Sequence, residues 1–150
     1  MKVYIDADAC PVTDIVIAKC AAKGIPCVLV CDTAHQIRRP GADTVTVDKG
    51  SDSADLMIAN KVHPGDVVVT QDYGLACICL GRNARILHQD GWEYTPFNID
   101  ALMFQRHESR RLRAAGIRGK GPSKRTKAQD QAFSEALEKL LQGYSAGGSR

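Results

Sequence analysis

The stretch Val3-Tyr4-Ile5-Asp6-Ala7-Asp8-Ala9-Cys10-Pro11 decides the fold class. Three β-type residues run straight into two acids one residue apart, and a proline follows where a helix can begin. Beyond it, Val12, Ile15, Val16 and Lys19 recur at helical spacing through residues 11–23, and Gly24 is placed to stop that helix. Further runs at 25–30, 44–47, 67–70 and 85–87 are continuous rather than alternating, as expected of strands buried on both faces. Residues 51–62, with Leu56, Ile58, Ala59 and Val62, and residues 73–80 read as the intervening helices. Strand and helix thus alternate, which predicts a three-layer α/β/α, Rossmann-like, mostly parallel sheet of about five strands with right-handed crossovers. Such sheets take ligands outside the carboxyl ends of their strands, where Asp6 and Asp72 fall.

The chain of 150 residues suits one domain. Residues 1–97 read as its α/β core, 98–142 as a basic helical extension packed on the same domain, and 143–150 as a flexible Gly/Ser-rich tail. In the extension, residues 98–113 look like a basic amphipathic helix, and Thr126-Lys127-Ala128-Gln129 reads as a capping box opening a last helix to Leu141. No apolar run approaches the ~18 residues of a membrane span, and Lys2 leads directly into a strand, so the expectation is a cytoplasmic protein with no membrane partner. Cys10, Cys20, Cys27, Cys31, Cys77 and Cys79 sit within apolar patterns and lack the paired Cys-x-x-Cys spacing of a zinc site, so they read as buried thiols.

Charge is unevenly spread. Residues 1–105 carry 9 Lys and Arg against 13 Asp and Glu, whereas 106–150 carry 11 against 4. An acidic body beside a basic end suits carboxylates that work on a polyanion attracted by another surface.

The acids fall into three groups, each with a plain alternative. Asp6 and Asp8 follow the first strand, Asp52 and Asp55 open the helix at 51–62, and Asp72 ends the Val67-Val68-Val69-Thr70-Gln71 strand. Helix capping alone would explain Asp8, the Asp52/Asp55 pair, or Asp72 taken singly. Their joint placement points further, because neighbouring strand ends lie about 5 Å apart and can bring Asp6 and Asp72 to one point, with Asp55 closing it. Oxygen-only ligation selects a hard ion, Mg2+ or Mn2+. Asp6, Asp55, Asp72 and Asp8 are therefore the candidate catalytic residues, and Asp6, Asp55, Asp72 and Asp52 the candidate metal ligands, with Thr70 orienting a carboxylate or water.

The segments Ile5-Asp6-Ala7-Asp8-Ala9-Cys10-Pro11-Val12, Ser53-Ala54-Asp55, Thr70-Gln71-Asp72-Tyr73-Gly74-Leu75-Ala76 and Lys120-Gly121-Pro122-Ser123-Lys124-Arg125-Thr126 together resemble the bacterial YaiI/YqxD family over nearly the whole chain. That family in turn resembles the PIN-like nucleases, which implies a Rossmann-like sheet with acids around one or two metal ions. Asp6, Asp55 in Ala54-Asp55-Leu56-Met57-Ile58-Ala59, and Asp72 in Val68-Val69-Thr70-Gln71-Asp72 match the PIN-like positions. The further glutamate that the pattern asks for in an early helix has no counterpart. Asp8, Asp14 and Asp52 are the early acids that could stand in for it.

Arg106, Arg110 and Arg113 share one helical face, and Arg118, Lys120, Lys124 and Arg125 follow in a Gly/Pro loop, so these seven are candidate nucleic-acid contacts. They would grip phosphates without reading sequence, and binding would weaken steeply with salt. Phe104 is the one aromatic near the run, so base stacking is not indicated. The combined expectation is a metal-dependent nuclease, RNA favoured, with a homo-oligomer possible. Two alternatives stand: a non-catalytic RNA-binding or regulatory module, and a haloacid-dehalogenase-type phosphatase with Asp6 as nucleophile and Asp8 as acid/base. Trp92, Tyr94 and Phe97 are expected to pack the C-terminal region onto the sheet.

Overall fold

Val3, Tyr4 and Ile5 are buried and form β1 (Val3–Asp6) at the centre of a six-stranded sheet. The computed structural model describes residues 1–8, 10–32, 39–48, 53–117 and 124–142. After β1 come α1 (Thr13–Lys23), β2 (Cys27–Asp32), β3 (Asp43–Val47), α2 (Ser53–Lys61), β4 (Val67–Val69), α3 (Tyr73–Gly81), β5 (Arg85–Leu87), β6 (Glu93–Tyr94), α4 (Ile99–Ala114) and α5 (Lys127–Leu141). The sheet order is β3-β2-β1-β4-β5-β6, with all pairs parallel except β5 with β6. The chain therefore winds outward from β1 on one side and from β4 on the other. Order reverses between β1 and β4, and that switch point opens a crevice at the carboxyl edge.

The period-two alternation of side chains sorts the core into two halves. Val3, Ile5, Val67 and Val69 pack on one face against Val12, against Val16 and Cys20 of α1, and against Phe133, Leu137 and Leu141 of α5. Tyr4, Val68 and Ile86 face the other way, onto Ile58 and Val62 of α2, Leu75 and Cys79 of α3, and Ile99 of α4. The result is the expected three-layer α/β/α arrangement. Gly24 ends α1 in the left-handed region (φ 68°), its amide donating to the carbonyls of Ala21 and Cys20. Thr126 makes the expected capping box with Gln129.

Four details depart from the sequence reading. β6 is an additional strand, two residues long and antiparallel, too short to leave a periodic trace. β3 is a half-exposed edge strand rather than one buried on both faces, because it has β2 alone beside it. Phe97 does not pack on the sheet: it is 97 % exposed, at the tip of a turn that Thr95 and Asn98 close by reciprocal backbone-to-side-chain hydrogen bonds. Tyr94 is buried, and Trp92 stacks on His88 with centroids 4.2 Å apart. Of the six thiols, Cys20, Cys27, Cys31 and Cys79 are buried, whereas Cys77 is exposed.

The opposite, amino edge of the sheet carries a structural acid. Asp66, 0 % exposed, accepts from the backbone amides of Lys2 and His63, both at 2.9 Å, and so ties β1 to the turn before β4. Asp66→Ala leaves two amides without these acceptors and is expected to lower the unfolding free energy by about 2–3 kcal/mol in urea titrations, with divalent-ion affinity unchanged.

Candidate metal and phosphate site

The β1–β4 register sets Ile5 beside Val69, so the next residues, Asp6 and Thr70, meet just beyond the paired strands. Alternation turns both toward the α2/α3 face, the same side as Tyr4 and Val68. Thr70, 3 % exposed, donates its hydroxyl to Asp6 Oδ2 at 3.0 Å and accepts the Asp72 amide at 3.0 Å. One buried hydroxyl thus links the ends of the two central strands. If Asp6 holds a divalent ion, Thr70→Val is expected to weaken Mn2+ affinity about 10–100-fold in calorimetric titration, the usual effect of losing a group that orients a ligand. It should also move the acidic limb of the pH profile of binding upward, since the Thr70 hydrogen bond holds the Asp6 carboxyl down; Thr70→Ser should restore both.

Asp72 is a helix cap, as the plain alternative supposed: its Oδ1 accepts the Leu75 amide at 3.2 Å at the start of α3. Capping occupies one carboxylate oxygen, and the side chain still borders two cavities. A Cβ at Gly74 would stand 3.2 Å from Asp72 Oδ1, a close contact that the capping carboxylate would have to relieve by shifting. Asp8 is not the cap of α1, whose cap position is Val12 with no side-chain hydrogen bond. Instead Asp8 lines a cavity of about 600 Å³ with Asp6, Gln71, Asp72, Tyr73, Gln105, Arg106 and Ser109. Burial, with the charges of Asp72 and Asp8 acting against the Thr70 hydrogen bond, pushes the Asp6 carboxyl from the ordinary 3.8 up to about 6.

Asp55 lies in the first turn of α2 and opens into a neighbouring cavity of about 570 Å³, bordered also by Asp72, Ile78, Met103, Arg106 and Arg110. Asp72 and Arg106 are common to both cavities; Asp6 and Asp55 share neither. Accordingly, among the described residues no three His, Cys, Asp or Glu side chains form a group able to hold one ion by themselves. Asp52 lies outside the described residues. Asp14 stands away from the site, its side chain 80 % exposed and paired with Arg39 at 3.0 Å.

The donor chemistry of the Asp6 cavity nevertheless fits a hard divalent cation. Mg2+ commonly takes one or two carboxylates and fills its remaining positions with water and substrate phosphate. Asp6 and Asp72 can supply that pair, and a cation between them would offset the burial and the carboxylate repulsion that together raise Asp6.

The basic residues divide. Arg106, Arg110 and Arg113 share the face of α4 that carries Ile99 and Leu102 inward, and the first two reach the cavities. Arg113 and Lys124 are exposed. Arg125 is engaged internally: its guanidinium donates to Asp130 Oδ1 at 2.6 Å, Asp90 Oδ1 at 3.0 Å and the Gln89 carbonyl at 2.7 Å. It ties the start of α5 to the turn after β5. Arg118 and Lys120 lie outside the described residues.

Gln71, Tyr73, Gln105 and Ser109 also line the polar cavity, and the sequence reading had not singled them out. The spacing that grouped Arg106, Arg110 and Arg113 places Ser109 on the same face and is the signal that could have found it. Tyr73 packs edge-on against Tyr94, with centroids 5.7 Å apart, and the Arg106 guanidinium lies 5.5 Å from its ring centroid. Burial pushes the Tyr94 phenol well above its ordinary value, helped by Tyr73 and Asp72 and opposed by Arg106.

A family model described as "Uncharacterized BCR, YaiI/YqxD family" matches residues 4–143. A "UPF0178 protein" of Exiguobacterium sibiricum is 48 % identical over 141 residues, covering 94 % of this chain and 96 % of the relative. A namesake from Ruminiclostridium cellulolyticum is 43 % identical over 147 residues, covering 98 % and 96 %. Another from Clostridium acetobutylicum is 42 % identical over 143 residues, covering 94 % and 97 %. No solved structure is a significant match.

Proposed function

The chain belongs to the YaiI/YqxD family, and for it we propose metal-dependent hydrolysis of a phosphodiester in nucleic acid, RNA favoured. The observation that carries this reading is the meeting of Asp6, Asp8 and Asp72 in one cavity at the sheet's switch point, with the Asp6 carboxyl pushed up to about 6. Asp6 and Asp72 would hold Mg2+ or Mn2+, with Asp55 facing the substrate from the adjoining cavity. Such an ion polarises a phosphoryl oxygen and brings the pKa of a bound water toward neutrality.

The chain's own groups do the remaining work. Thr70 holds Asp6 Oδ2, so the ligand geometry is set before substrate arrives. Asp8 and Gln71 supply polar walls for water, while Arg106 and Arg110 at the cavities, and Arg113 and Lys124 farther out, attract the phosphate backbone. Arg125 has an architectural role in this reading, because its donors already serve Asp90, Gln89 and Asp130. No helix among the described residues is long and apolar enough to cross a membrane, and a cytoplasmic setting, where RNA is at hand, belongs to the same proposal.

The test is cleavage of a short single-stranded RNA with Mn2+ present, by the wild type and by Asp72→Asn. The reading expects cleavage that Asp72→Asn abolishes. Salt-sensitive RNA binding without turnover would replace it with a non-catalytic module. Release of p-nitrophenol from p-nitrophenyl phosphate, with an acyl phosphate trapped on Asp6, would replace it with phosphatase chemistry.

A further inference from the structure

Arg106 is half-buried, whereas Arg110 and Arg113 farther along α4 are exposed. Among the described residues, Arg85 pairs with Glu93, Arg111 with Glu108, and Arg125 with Asp90 and Asp130. No ion pair or hydrogen bond among those residues engages the Arg106 guanidinium, although the side chain is half-buried. Among the described residues it lies against the Tyr73 ring, 5.5 Å from the centroid. That ring is itself fixed edge-on by Tyr94, which is wholly within the core. A half-buried cation held on an aromatic face, with no ion pair to it among the described residues, is arranged for an anion that arrives from outside.

Its position specifies the anion. Arg106 and Asp72 are the residues common to both cavities, and no ion pair closes the gap between them. A phosphoryl group seated there would meet the guanidinium on one side and the acids on the other, with a substrate segment extending into each cavity. The walls differ: Gln71, Gln105 and Ser109 border one, Leu56, Ile78 and Met103 the other. Arg110 borders only the second, and Arg113 neither.

We infer that Arg106 is the residue that holds the reacting phosphoryl group between the two cavities, and that Tyr73 is a positioning residue that keeps its guanidinium there. The inference rests on the phosphodiester reading for the word "reacting", and on the geometry alone for phosphate binding. It separates Arg106, which acts on the group that changes, from Arg110 and Arg113, which hold the backbone farther along. A guanidinium's planar fork, unlike an ammonium, can offer two parallel hydrogen bonds to a phosphoryl group, so lysine is a poor replacement.

Two measurements test it on the intact chain. In the first, inorganic phosphate is titrated into protein labelled with ¹⁵N, and the arginine Nε resonances are followed. Saturable displacement of the Arg106 resonance is expected, kept in Tyr73→Phe and weakened at least about 10-fold in affinity in Tyr73→Leu. Displacement of Arg110 and Arg113 without Arg106, or a Tyr73→Leu titration identical to the wild type, would overturn it. In the second, Arg106→Lys should lower kcat about 10–100-fold with KM little changed, whereas Arg110→Ala should raise KM with kcat little changed. The reverse pattern would also overturn the assignment. If the wild type binds phosphate at Arg106 but cleaves nothing, the nuclease reading falls and the phosphate site stands.

Discussion

Asp6→Asn is expected to make the metal-free protein more stable at pH 7 and, on the proposed function, to abolish hydrolysis. Folding raises the Asp6 carboxyl from 3.8 to about 6, so the folded chain holds that proton more tightly than the unfolded one. The stabilisation from the bound proton is complete below the unfolded value and is lost as pH rises through about 6, by up to about 3 kcal/mol in total. Asparagine carries no charge at any of these pH values and keeps an oxygen to accept the Thr70 hydroxyl. Urea unfolding of the wild type should therefore weaken between about pH 4 and pH 7 through this group, while Asp6→Asn lacks that component. On the proposed function, turnover should fall about 10³-fold, or roughly 4 kcal/mol of barrier, with the loss of a charged metal ligand. Equal pH dependence in the two proteins would mean that Asp6 is not held at the cost of its charge.

Phe133→Ala should have the largest effect on stability, about 3–5 kcal/mol, because the ring is fully buried against the sheet and its removal leaves a cavity. Phe133, Leu137 and Leu141 of α5 complete one of the two helical layers, beside α1. A loss of that size is a large share of a small domain's total. Chemical denaturation monitored by circular dichroism reads it; a loss below about 1 kcal/mol would show that α5 is an appendage rather than part of the core. The layer also bears on the site, since Arg125 anchors the start of α5 to the turn after β5.

The parts of the fold visible in the sequence are those governed by local pattern. Uninterrupted runs such as Val67-Val68-Val69 announce central strands, Gly24 and the Thr126–Gln129 box mark helix ends, and alternation of strand and helix implies parallel order. Neighbouring placement of Asp6 and Asp72 follows from the same logic, once β1 and β4 are adjacent. Features that depend on distant partners were hidden. Arg125 sits in a Gly/Pro-rich basic segment that reads as a phosphate grip, yet Asp90, 35 positions away, accepts its hydrogen bond. Asp66 resembles any turn acid until Lys2, 64 positions away, is seen to donate to it. Asp55 matches the PIN-like spacing that the sequence resemblance implies, but the position of α2 sets it in the neighbouring cavity, where Asp72 is the other carboxylate of the lining. Tyr73 carries no motif of its own, and its role emerges only when α4 lays Arg106 across the ring.

Calorimetric titration of Mn2+ into the wild type, Asp6→Asn and Asp72→Asn examines the carboxylate site without requiring a substrate. One saturable binding event in the wild type, absent or weakened at least about 10-fold in both variants, is the expected result. Binding of equal strength in all three proteins, or no binding to the wild type at millimolar Mn2+, would contradict the assignment of Asp6 and Asp72 as ligands.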